Sequence, residues 1–245
     1  DVSLVGSEMC IRDSLNMAIK KIIAIASAKG GVGKSTIAAC LAKVLSKNNN
    51  VGLFDADIYG PSQHLIFNLK DQIKSKAFKT SSTNLQPLKK ENLLIMSMGF
   101  YIDKDKSLTW RGPMLSSALK QIYNHTKWGN LDYLIIDMPP GTGDAYLTIA
   151  TEVNPDGIIL VTTNHVLSAE DTLKSKITFN KLGIPILGFL INMYENSKGK
   201  FKMSTEELQN LLDINCFGKI HFDNKLAEFN SQSITTVFKP ITELI

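Results

Sequence analysis

The 245-residue chain carries 27 basic and 23 acidic side chains, a formal charge of +4, with 44% hydrophobic and 20% charged residues. That length can bury the core of one α/β domain, and the composition is that of a globular protein, which excludes disorder as the default. The charge is mild and comes without a long Lys/Arg block, so nucleic acid is not an expected partner. No apolar run reaches the roughly 18 residues that a membrane span requires.

Residues 1–14, "DVSLVGSEMCIRDS", lack a basic start followed by an apolar core and so do not make a signal peptide. "LVGSEMCIRDS" resembles a translated transposon adapter from sequencing libraries. Residues 1–16 are therefore expected to be a non-native leader, with the native start at Met17 and a single domain over 17–245. With Cys10 set aside, Cys40 and Cys216 are too few for a disulfide framework and suit a reducing cytoplasm.

From Ile22 to about Phe222, apolar strand-like runs alternate with helical stretches. "KIIAIAS" leads into a helix through "STIAACLAKVLSK", then "VGLFD". The polar stretch between Asn68 and Glu91 reads as a surface excursion, because strands of the same kind resume after it. "NLLIMSM", a helix through "PMLSSALKQIYNH", "LDYLIID", a helix after "GTGDAYLTIATEV", "GIILVTT", a helix from about Leu167 and "IPILGFLIN" follow. Strands apolar throughout are buried on both faces, so the expected fold is a doubly wound, mostly parallel sheet with helices on both sides.

The stretch "SAKGGVGKST" joins the first strand to the first helix. Backbone N–H groups can approach phosphate oxygens at Gly30, Gly31 and Gly33, where a Cβ would obstruct them, and the helix aims its positive end at the same place. The bound group would touch Gly30 through Thr36, with Lys34 reaching the β- and γ-phosphates and Ser35 ligating Mg²⁺. The strict G-x-x-x-x-G-K-S/T pattern requires glycine where Ala28 stands. A Mg²⁺ site also needs a carboxylate at a strand end, which Asp137 supplies, and Gly141 follows with an N–H for the γ-phosphate. In "LFDADIYGPS", Asp57 is the candidate for positioning the attacking water. Asp55 either supports the metal shell or caps the turn at Gly60-Pro61.

"KGGVGKST" looks like the deviant phosphate loop of the MinD/ParA class of P-loop ATPases. "DADIYGPS", "MSMGF", "WRGPM", "WGNLDYLIIDMPPGTGD", "VTT" and "LGFLINM" together resemble its Mrp/ApbC branch, the iron–sulfur cluster carrier ATPases. The resemblance implies a cytoplasmic, homodimeric ATP hydrolase that assists loading or transfer of clusters to apo client proteins. It implies that Lys29 acts in trans on the nucleotide of a second subunit, as an arginine finger does. It also places Asn192 against adenine, and leaves Arg111 either anchoring its own loop or facing a dimer or client surface. Members that carry a 4Fe–4S cluster place Cys-x-x-Cys shortly after the "NM". Here that segment is "NMYENSKGKFKMSTEEL", with no cysteine, so the family's cluster has no evident ligand set. The alternative that this leaves open is a MinD/ParA-like nucleotide-switched binding protein with no cluster. Ser204 to Glu207 fits a helix capping box, Cys40 is expected in the core, and no membrane anchor like the amphipathic helix of MinD is expected at "VFKPITELI".

Overall fold

The computed structural model describes residues 19–75, 84–101, 112–141, 143–195, 199–222 and 231–245. The expected leader and Arg111 lie outside these residues. The strands are β1 (Ile19–Ala26), β2 (Val51–Asp55), β3 (Leu88–Lys90), β4 (Leu93–Ser97), β5 (Leu131–Asp137), β6 (Gly157–Thr162), β7 (Ile186–Tyr194) and β8 (Cys216–His221). Among the described residues they form one sheet in the order β3-β4-β2-β5-β1-β6-β7-β8. Every neighbouring pair is parallel except β3–β4. The central strands have no polar alternation because both faces are covered: Ile22 to Ala26 of β1, all of β2 and all of β6 are buried.

The helices are α1 (Lys34–Leu45), α2 (Gln63–Ile66), α3 (Lys70–Ser75), α4 (Gly112–His125), α5 (Asp144–Thr148), α6 (Val166–Lys181), α7 (Thr205–Leu212) and α8 (Ser231–Thr242). In α1 the small residues Ala38, Ala39, Cys40 and Ala42 are buried together with Ile37, Leu41 and Leu45. A helix so apolar all round is covered on more than one side, here by the sheet and by α8, whose Ile234, Phe238 and Ile241 are buried. Leu115, Leu119 and Ile122 form the narrower buried stripe of α4. The Ser204 hydroxyl accepts from the Glu207 N–H at 3.1 Å, and the Glu207 carboxylate accepts from the Ser204 N–H at 2.6 Å, the expected capping box.

Two details differ from the sequence-based expectation. The helix placed after Val153 lies within the quoted stretch instead, as α5 continued by a π-helical turn, Ile149–Val153. The excursion after Asn68 contains α3 and returns to the sheet as β3, antiparallel on its edge. The exposed Lys89 suits an edge strand, where charge discourages pairing with another chain.

Register positions the site. β1 and β2 flank β5, with Ile25 opposite Asp137 on one side and Asp55 opposite Asp137 on the other. The loop leaving β1 and two carboxylates therefore meet at the carboxyl ends of three adjacent strands, where open α/β sheets bind ligands.

Candidate nucleotide site

Gly33, the last residue before α1, has φ 83° and ψ 20°, a left-handed conformation that favours glycine. A Cβ there would also lie 2.2 Å from Asn192 Nδ2. No side chain caps α1, so the orphan N–H groups of its first turn remain available. Above the loop, a Cβ built on Gly30 or Gly31 would meet no atom within 4 Å. An open, uncapped helix N-terminus with exposed glycines beside it is a cradle for an anion. The loop is braced from behind. The Ser27 hydroxyl donates to the Lys29 carbonyl at 3.0 Å, the Gly141 N–H donates to the Ser27 carbonyl at 3.2 Å, and Asn192 Nδ2 donates to the Val32 carbonyl at 2.8 Å.

Beneath the cradle lies a polar cluster that the solvent does not reach. The Lys34 ammonium, 5% exposed, is paired with Asp137 Oδ1, and Asp137 is fully buried. The other oxygen, Oδ2, accepts from Gln63 Nε2 at 2.8 Å, and the same nitrogen donates to the Ser35 carbonyl at 2.9 Å. Asp55 is also fully buried, and accepts from the N–H groups of Ser62 and Gln63 at 3.0 Å each, the Ser97 hydroxyl at 2.8 Å and the Asp57 N–H at 3.3 Å. Burial, then the neighbouring Asp137 charge, push its carboxyl up to about 7 against those donors. Asp57 lies beyond the end of β2, 8% exposed, with Oδ1 accepting from the Tyr59 and Gly60 N–H groups at 3.2 and 3.0 Å. Burial raises its pKa too, which makes it a stronger base than an ordinary aspartate.

The structure thus gathers Lys34, Ser35, Asp55, Asp57, Asp137 and Asn192 around one loop. Lys29 is exposed at the loop's start, and Ser35 and Thr36 are half-buried at the start of α1. The donor set fits a magnesium nucleotide: an uncapped helix end and a lysine ammonium for phosphates, and a hydroxyl with a buried carboxylate for the cation. It does not fit an iron–sulfur cluster. Among the described residues no three His, Cys, Asp or Glu side chains come together as a metal site. Cys40 is buried in α1, its thiol pushed up to about 12 by desolvation, and Cys216 is half-buried on β8. Gln63 and Ser97 were not singled out from the sequence. Gln63 sits in a polar turn and Ser97 is a lone hydroxyl ending an apolar strand, and only the β2–β5 and β2–β4 registers give them their carboxylate acceptors.

The family of NUBPL iron-transfer P-loop NTPases, ParA, matches residues 18–243. An iron–sulfur cluster carrier protein of Rickettsia bellii is 39% identical over 228 residues, 93% of this chain and 68% of that protein. The carrier of Rickettsia prowazekii is 47% identical over 176 residues, 71% of this chain and 54% of that protein. The iron–sulfur cluster transfer protein NUBPL of Dictyostelium discoideum is 44% identical over the same shares. The chain spans little more than half the length of several of these curated relatives. Among solved structures, a nucleotide-binding protein in complex with ADP from Archaeoglobus fulgidus superposes with a TM-score of 0.67 at 30% identity, over 90% of this chain and 88% of that one. The septum site-determining protein MinD from Pyrococcus horikoshii shares the fold, with a TM-score of 0.68 at 23% identity over 91% and 95% of the two chains. With loop, carboxylates and sheet order already in place, the match over nearly the whole described chain leaves one assignment: the protein belongs to the NUBPL/ParA family of iron-transfer P-loop NTPases.

Proposed function

We propose that this chain binds Mg²⁺-ATP and hydrolyses it between two copies of itself, in support of loading or transferring iron–sulfur clusters to apo client proteins in the cytoplasm. The observation that carries the first half is the buried Lys34–Asp137 pair lying under the uncapped N-terminus of α1. An ammonium held by a carboxylate in a dry site is a stored counter-charge, released when triphosphate oxygens replace the carboxylate as its partner. The N–H groups from Gly30 to Thr36 then receive phosphate oxygens, and Asp137 and the Ser35 hydroxyl are free to hold Mg²⁺, with Asp55 supporting Asp137 across the β2–β5 register. Bound Mg²⁺ would neutralise charge building up on the phosphates. The Gly141 N–H, now on the Ser27 carbonyl, turns to the γ-phosphate. Asp57 orients water and accepts its proton, while Asn192, held against the Val32 carbonyl, faces adenine.

Lys29 sits exposed at the start of the loop, and that exposure supports a role on a neighbour's nucleotide. Lys29→Ala is expected to lower ATP turnover by about 10³-fold while ADP affinity stays within a few-fold of wild type, as for loss of a trans finger. Ordinary turnover in that variant would remove the trans role. The second half of the proposal is supported by the names of the relatives, cluster carriers and a cluster transfer protein. The relatives support this carrier reading over the alternative, a nucleotide-switched binding protein without a cluster, for which the lack of a Cys-x-x-Cys after Met193 is the one favourable observation. Anaerobic reconstitution with iron and sulfide separates them: a colourless product that still hydrolyses ATP selects the switch.

A further inference from the structure

We propose that Gln63 is a positioning residue of the nucleotide site, fixing the orientation of the Asp137 carboxylate through one amide nitrogen shared with the Ser35 carbonyl. This inference rests on the Mg²⁺-nucleotide reading above. Gln63 opens α2, far in sequence from the loop, yet its side chain is completely buried beneath it. Its Nε2 spends both hydrogens, one on Asp137 Oδ2 at 2.8 Å and one on the Ser35 carbonyl at 2.9 Å. Two acceptors on one atom fix which end of the amide is nitrogen, since an oxygen there would be repelled by both. Its backbone N–H meanwhile donates to Asp55 Oδ2 at 3.0 Å. One residue therefore ties together β2, β5 and the first turn of α1.

The consequence concerns what happens when Lys34 leaves. In the structure Asp137 has one oxygen on Lys34 and the other on Gln63. Once Lys34 transfers to phosphate, Oδ1 is vacated, and the bond from Gln63 to Oδ2 is what keeps the carboxylate from rotating. Because the same nitrogen holds the Ser35 carbonyl, the carboxylate and the backbone of the hydroxyl-bearing residue keep a fixed relation. The Gln63 Oε1 atom is buried and has no hydrogen-bond partner. A buried acceptor left unmade is costly, and a water in the shell of the bound cation would supply its donor. Orphaned acceptor and shared donor both point to the cation.

The test is on the full chain, with ADP as nucleotide and Mn²⁺ as the metal probe. Free Mn²⁺ is followed by electron paramagnetic resonance in ADP-saturated protein, and ADP affinity in EDTA by calorimetry. Gln63→Met removes donor and acceptor at similar volume. It is expected to weaken Mn²⁺ binding about 10- to 100-fold, the usual cost of losing an outer-shell partner. ADP affinity in EDTA should stay within about threefold, a split that general damage to the fold would not give. Gln63→Leu, which also lacks both polar atoms and adds no charge, is expected to weaken Mn²⁺ in the same sense, answering the question if the methionine variant does not fold. Mn²⁺ affinity unchanged in either folded variant overturns the positioning role while wild-type binding leaves the nucleotide reading standing. Wild-type protein that binds neither ADP nor its Mn²⁺ complex overturns both.

Discussion

Gly33→Ala separates two physical demands that meet at one atom. The first is conformational: φ of 83° costs an alanine about 1–2 kcal/mol, of which the stiffer unfolded chain returns about 0.4–1 kcal/mol. The second is steric. The new Cβ would stand 2.2 Å from Asn192 Nδ2, closer than any real contact, so the Asn192 amide must turn away and give up its 2.8 Å bond to the Val32 carbonyl. Losing that bond costs about 1 kcal/mol. The single variant should therefore be destabilised by about 2 kcal/mol, equivalent to about 4–8 °C in Tm for a chain of this size. Asn192→Ala alone loses only the bond, about 1 kcal/mol, and in its background Gly33→Ala should cost only the conformational part, again about 1 kcal/mol. The destabilisation of the double variant, about 2 kcal/mol, then falls about 1 kcal/mol short of the sum of the singles. Urea unfolding of the nucleotide-free protein, followed by far-ultraviolet circular dichroism, measures all four corners of the cycle. Additivity within about 0.3 kcal/mol would refute the steric coupling and leave backbone strain as the whole effect.

Lys34→Met should destabilise the nucleotide-free protein by about 3–5 kcal/mol in the same unfolding assay, because Asp137 is left charged and buried without its partner. A loss below about 1 kcal/mol would refute a strong contribution of the buried pair to the nucleotide-free fold. For Asp55 the sign follows from its pKa, raised from 3.8 to about 7. The folded state holds that proton more tightly than the unfolded chain, so the contribution is complete below about pH 4 and is lost as pH rises through about 7. The stability advantage of wild type over Asp55→Asn should accordingly shrink between those pH values, and a gap independent of pH would show that Asp55 titrates alike in both states.

Much of this arrangement is written locally in the chain, and what is not has a common cause. The apolar runs that became β1, β2, β5 and β6 carry their burial in their composition, and Ser204 with Glu207 specify their cap within one turn. The phosphate loop is legible for the same reason: glycine, lysine and serine act within a few residues of one another. β3 is three residues long and mostly polar, so nothing in its own pattern distinguishes it from a loop, and its pairing with β4 is decided by what the neighbouring strand leaves open. The site's inner layer is of this second kind. Asp55 takes local donors two to eight positions ahead, which is why a turn-capping role is readable beside the metal-shell role, but its Ser97 donor lies 42 residues away. Gln63 gains its meaning only from Asp137, 74 residues away, after β5 has inserted between β1 and β2. An amide following Gly-Pro-Ser looks like any turn residue until sheet order turns its neighbour into a buried carboxylate. The same holds for Asn192 and Val32, 160 residues apart. Chemistry that depends on approach to a ligand can be recognised from spacing, whereas the groups that hold such chemistry still are set by the order and register of strands.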